Sequence, residues 1–142
     1  MNYEQSIDYI HSIPKFRRPL GNANLEKLLT HLGNPQKKLK FIHIAGTNGK
    51  GSVCAILSTI LTEAGFKTGL FTSPYLEVFN ERIRINGENI TDNDLAEYVT
   101  RVKTIMEENN ALVSEFAFIT AVSFLYFYEK QCDIVVLEVG MG

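Results

Sequence analysis

The sequence predicts an α/β fold of three layers, with a mostly parallel sheet between helices. Three observations carry that expectation. A short β-branched run beginning at Phe41 enters a glycine-rich loop, Gly46-Thr47-Asn48-Gly49-Lys50-Gly51-Ser52, and the loop opens into an apolar periodic segment from Val53 to Phe66. A second apolar strand, Lys67 to Thr72, follows at once, and a crossover helix between two strands of one sheet makes them parallel. A third run, Asp133 to Gly140, is apolar nearly throughout, as strands covered on both faces are.

Strand, glycine loop and helix in that order form a phosphate loop. Glycines let the backbone bend until successive N–H groups point at one spot, and the helix beyond adds positive potential there. Lys50 brings a full cation to the β- and γ-phosphates of a nucleotide, and Ser52 offers a hydroxyl to the accompanying magnesium. The strict pattern has four residues between its first glycine and the Gly-Lys pair, and Ser or Thr directly after the lysine. Here only Thr47 and Asn48 separate Gly46 from Gly49, and Gly51 precedes Ser52. The plain alternative is a glycine-rich turn with an incidental lysine.

The length of 142 residues suits one domain with a buried core, and 45% hydrophobic with 21% charged residues is ordinary for a globular protein. Fourteen basic against sixteen acidic residues leave a net charge of -2, so no overall field recruits nucleic acid or an anionic membrane. Any anion must be bound locally. No apolar run reaches the ~20 residues that span a bilayer, and the N-terminus lacks the pattern of a signal peptide. Cytoplasmic residence is the default expectation. Cys54 and Cys132 are too few for a disulfide framework and read as small core residues.

Taken in order, Tyr3, Ile7 and Ile10 recur at helical spacing, which predicts a helix over 3–12 that stops before Pro14. Lys15 to Gly21 is a basic loop, either a solvated connector or an anion-facing lip. Leu25, Leu28, Leu29 and Leu32 mark a second helix, with Asn22 or Asn24 as N-cap and Gly33 as its stop. Asn34-Pro35 turns the chain toward a central strand at 40–45, in which His43 is assigned no chemistry. The next helix carries a stripe of Val53, Ile56, Leu57, Ile60, Leu61 and Ala64 and ends at Gly65. Thr72-Ser73-Pro74 then leaves the carboxyl end of a strand, the edge where ligands sit in an open parallel sheet.

Arg82 to Gly87 alternates and meets an Asn-Gly dipeptide, the signal of a small hairpin returning toward Ile90. Thr91 and Asp94 resemble a capping box for a helix on which Leu95, Val99, Val102 and Met106 form the apolar face. Ser114 can cap a last helix, apolar nearly all round from Phe116 to Tyr128. Glu138 lies near the end of the final strand. A buried acid without a partner is costly, so it should face a cation at the sheet's carboxyl edge: magnesium, or a base such as Lys50.

Gly46 to Ser52, Thr72-Ser73-Pro74, Asn80-Glu81-Arg82-Ile83-Arg84-Ile85-Asn86-Gly87 and Glu138-Val139-Gly140-Met141-Gly142 occur in this order across essentially the whole chain. Together they resemble the folylpolyglutamate synthase and dihydrofolate synthase family, within the wider set of Mur-type ATP-dependent ligases. The resemblance implies that residues 1–142 are a partial N-terminal ATPase domain, Mur ligase central-domain-like and truncated, with the C-terminal glutamate ligase domain absent. It implies a ligase that joins L-glutamate to dihydropteroate or folates by ATP-dependent formation of an acyl phosphate, and a monomer at full length. By the same likeness Thr47, Asn48, Gly49, Lys50, Gly51 and Ser52 hold the triphosphate, with Lys50 catalytic, and Ser73 and Glu138 bind magnesium. Leu20, Gly21, Ser114, Glu115 and Phe116 are the implied folate contacts.

Two other readings stand beside the ligase. One is a nucleotide-binding module without catalysis, and such a part of an active site is itself expected to be inactive. The other is a cell-wall Mur-type ligase or a phosphotransferase sharing the loop, against which the Asn80 to Gly87 motif argues.

Overall fold

A computed structural model describes residues 1–17, 22–45, 50–73 and 77–138, with the backbone alone at Lys50 and Gly51. The chain forms two compact units: Met1–Lys38 with Asp92–Tyr126, and Leu39–Thr91 with Phe127–Gly142. No helix among the described residues is long and apolar enough to cross a membrane.

The first unit is helical. Helix α1 (Tyr3–Ser12) starts at a capping box in which the Gln5 N–H donates to Asn2 Oδ1 at 2.8 Å and the Asn2 N–H donates to Gln5 Oε1 at 3.0 Å. It ends where Ile13, ahead of Pro14, turns to extended backbone. Helix α2 (Ala23–His31) follows N-cap Asn22, and Gly33 at φ +89 stops it in the left-handed region. Asn24, the other cap candidate, instead donates its amide to the Leu112 carbonyl at 2.8 Å. A 3-10 turn covers Pro35–Lys38.

Helix α4 (Asp92–Glu108) buries Leu95, Val99, Val102 and Met106, all four expected positions. Each such side chain contributes about 1.5–3 kcal/mol. Helix α5 (Glu115–Glu129) begins at Ser114, whose Oγ accepts the Ala117 N–H at 3.4 Å. Phe118 of α5 is fully buried and meets Tyr9 edge to face at 5.5 Å, while Tyr126 meets Tyr98 at 5.4 Å.

The second unit is a mixed, parallel-dominant sheet, as expected, with the helix Lys50–Glu63 packed against its parallel strands. Strands β1 (Phe41–Ile44), β2 (Thr68–Phe71), β3 (Ile83–Ile85), β4 (Glu88–Asn89) and β5 (Ile134–Glu138) stand in the order β1-β5-β2-β3-β4. β5 runs parallel to β1 on one side and β2 on the other, pairing Val136 with Ile42 and Leu70. β3 returns antiparallel to β2. Asn86 and Gly87, at φ +50 and +81, make the tight turn to β4, a conformation that Asn-Gly tolerates.

Two expectations are corrected. The strand at 40–45 is not central: among the described residues β1 pairs with β5 alone, and its side chains are half-buried or exposed. Local pattern cannot tell which strand later inserts beside it, and β5 arrives ninety residues on to take the inner place. In α3 (Lys50–Glu63) the stripe also splits. Leu57 and Leu61 pack with Cys54 against Leu70 and Val136, whereas Val53, Ile56 and Ile60 are exposed. The helix is apolar over more than one face, so two periodic sets fit it equally well.

Candidate functional site at the carboxyl edge of the sheet

The register of the second unit brings the two expected metal-binding positions together. Glu138 ends β5 opposite Ile44, the last residue of β1. Ser73 lies two residues beyond Phe71, which pairs with Leu137. The consequence is a direct contact: the Ser73 N–H donates to Glu138 Oε1 at 3.4 Å, a long and weak bond. Glu138 is only 7% exposed, an acidic side chain held at a strand end that the fold leaves at the ligand edge. Helix α3 begins at Lys50, after the carboxyl end of β1, so its N-terminus and the partial positive charge there belong to the same edge.

Ser52 is exposed on the first turn of α3. Gly51 and Lys50 open that helix by their backbone, while Thr47, Asn48 and Gly49 lie outside the described residues, as do Leu20 and Gly21. The donor set at the edge is a carboxylate and a serine, hard oxygen groups that suit magnesium. No group of three or more His, Cys, Asp or Glu side chains that could hold a metal is found among the described residues.

In the first unit, Ser114 and Glu115 are half-buried and Phe116 is 49% exposed. The Glu115 N–H donates to the Pro14 carbonyl at 3.0 Å, which ties the start of α5 to the residue just ahead of the basic loop. Phe16 in that loop is 83% exposed, and Leu112 is 36% exposed. Phe16 entered the sequence reading only as part of the basic loop Lys15 to Gly21, and its exposed ring gives that loop an apolar element beside the cations.

Glu81 entered the sequence reading only as part of the Asn80 to Gly87 motif, with no contact of its own. Its Oε2 accepts the N–H groups of Glu77 and Val78 at 3.0 and 3.1 Å, and the Glu81 N–H closes the turn on the Val78 carbonyl. An acid three residues after the start of a helical turn is the signal that could have found it.

No family model matches the sequence. Individual proteins do. Over its whole length the chain is 41% identical to the folylpolyglutamate synthase of Lacticaseibacillus casei, of which it spans 34%. With 99% of its length it is 40% identical to the dihydrofolate synthase/folylpolyglutamate synthase of Bacillus subtilis, again spanning 34%. Among solved structures, an FPGS–AMPPCP–folate complex superposes on all of this chain with a TM-score of 0.93 at 40% identity, the chain covering 36% of it. The chain thus spans about a third of the relatives that it matches.

Proposed function

We propose, from the premise that the chain belongs to the folylpolyglutamate and dihydrofolate synthase family, that it is the nucleotide-binding part of an ATP-dependent ligase adding L-glutamate to dihydropteroate or folates. The observation that carries this reading is the Ser73–Glu138 contact at the carboxyl edge, beside the strand that leads into α3. A relative binding AMPPCP and folate together supports the pairing of nucleotide with pterin substrate.

In the proposed reaction the γ-phosphoryl group passes from ATP to the acceptor carboxylate, releasing ADP. The amine of glutamate then attacks the acyl phosphate and expels phosphate as the amide forms. Lys50 and the N–H groups of the loop Thr47 to Ser52 stabilise charge on the transferring phosphoryl group. Ser73 and Glu138 would hold Mg²⁺, which when bound neutralises phosphate charge. The Ser73 N–H, 3.4 Å from Glu138 Oε1, keeps the two groups side by side at this edge only weakly.

The folate is assigned to the first unit, at Leu20, Gly21, Ser114, Glu115 and Phe116. The exposed ring of Phe116 and the bond from Glu115 to Pro14 support that assignment, because a flat heterocycle stacks on such rings.

The test is Lys50→Ala in the full-length protein encoded by its gene, assayed for ADP formation that requires both glutamate and dihydropteroate or folate. Loss of one phosphate-binding cation is expected to lower the rate by about 100-fold or more. Near-normal turnover would remove Lys50 from the chemistry. A wild-type protein that binds nucleotide but forms no ADP would instead be a binding module.

A further inference from the structure

The Asn80-Glu81-Arg82 triplet marks the family resemblance, yet none of its members has a role in the reaction just proposed. All three are occupied with holding backbone. Asn80, 4% exposed, donates its amide to the Ile90 carbonyl at 2.7 Å. Glu81 collects the N–H groups of Glu77 and Val78 on one oxygen. Arg82 accepts the Thr72 N–H on its carbonyl at 3.0 Å, and its guanidinium stands 5.3 Å from the Phe79 ring and 5.9 Å from the Phe71 ring. The Glu81 carbonyl in turn accepts Arg84 Nε at 3.0 Å, which ties the triplet to β3.

These bonds have one geometric consequence. The chain leaves β2 through Thr72 and Ser73, and comes back to β3 through Glu77 and Val78. Thr72 is tied to Arg82, and Glu77 with Val78 to Glu81, so both ends of that excursion are fastened to a single dipeptide. Ser73 is the next residue after one of the fastenings. Its own contact to Glu138, at 3.4 Å, is too long to fix the loop unaided.

We propose that Glu81 is a positioning residue for the metal and nucleotide rim. By capping Glu77 and Val78 it fixes the return of the loop, and with the neighbouring Arg82 carbonyl it holds Ser73 where its N–H meets Glu138. The link to Mg²⁺ and nucleotide rests on the function proposed above. The positioning of Ser73 does not.

The test compares Glu81→Ala with Glu81→Gln in the full-length protein. One oxygen of Glu81 serves both N–H groups, so the glutamine amide oxygen can replace it, whereas alanine cannot. Two hydrogen bonds are at stake, enough for a change of about tenfold or more. The first readout is amide hydrogen exchange without ligand. In Glu81→Ala, exchange at Thr72 and Ser73 should speed up about tenfold, with α4 unchanged and Glu81→Gln within about threefold of wild type. The second is the Mg²⁺ concentration giving half-maximal ADP formation, expected to rise about tenfold in Glu81→Ala only. A general loss of stability would speed exchange in α4 as well.

Unchanged exchange at Thr72 and Ser73 in the alanine variant would overturn the proposal. So would faster exchange with an unaltered Mg²⁺ response, since positioning would then not serve the rim. A wild-type protein without ATP-dependent ligation would sink the proposed function instead, with the exchange result still deciding whether Glu81 places Ser73.

Discussion

Burial acts most plainly on Cys132. It raises the thiol to about 11 from its ordinary 9.0, a rise that Lys67 opposes and Asp133 reinforces. Asp133 is held where it can act, because its Oδ2 accepts the Lys67 N–H at 2.7 Å. A thiol that resists ionisation is a poor nucleophile. Cys132 is therefore expected to stay unmodified by a thiol-specific disulfide reagent at pH 8 in the folded protein, and to react within the dead time once unfolded. The same displacement sets a pH dependence. Between pH 9 and about 11 the unfolded thiol ionises while the folded one keeps its proton. The unfolded state then binds fewer protons, so stability falls as pH rises through that window. Denaturant titrations at pH 8.5 and 10.5 check the direction, with Cys132→Ala as the variant in which this part of the loss disappears. An equal loss in wild type and variant would mean that other groups carry it.

At the scale of elements, β2 shows how closely the second unit is fitted. All four of its residues are buried, and a Cβ placed on Gly69 would lie 2.8 Å from the Phe127 ring. The hydrogen of glycine is what lets the α5 end and the strand approach. Gly69→Val should destabilise by about 1–3 kcal/mol through overpacking, read as a lower denaturant midpoint with little change in slope. An unaffected midpoint would mean that Phe127 swings away freely. The sequence announced much of this architecture where the cause is local. Spacing found the buried residues of α4, Asn-Gly found the β3–β4 turn, and Ser114 found the start of α5. It failed where the cause is distant. Among the described residues β5 takes the inner place beside β1, and the outward face of α3 is decided by what the sheet offers to Leu57 and Leu61. The site divides the same way. That Ser73 and Glu138 share one edge was legible because parallel strands end there, whereas the bonds that Glu81 accepts follow a helix-start spacing masked by the strand alternation from Arg82 onward.

For the molecule as a whole, the division into two units separates the proposed ligands. Ser73, Glu138 and the start of α3 all belong to the unit Leu39–Thr91 with Phe127–Gly142. Phe16, Ser114, Glu115 and Phe116 belong to Met1–Lys38 with Asp92–Tyr126. A ligand stabilises whatever it binds in the folded form, by about 2.7 kcal/mol at a concentration 100 times its dissociation constant. Stability is not uniform along a chain, so that gain need not spread evenly over both units. Magnesium with AMPPCP is therefore expected to slow amide exchange in β1, β2, β5 and the first turns of α3, by up to about 100-fold at that excess, while α1, α2 and α4 change little. Folate added alone should protect residues 13–17 and 111–118 instead. Exchange measured by mass spectrometry on this chain, with peptides covering each segment, reads both arms. Protection by Mg-AMPPCP confined to α1, α2 and α4 would place the nucleotide away from the carboxyl edge and so separate Ser73 and Glu138 from the phosphates that they are proposed to serve.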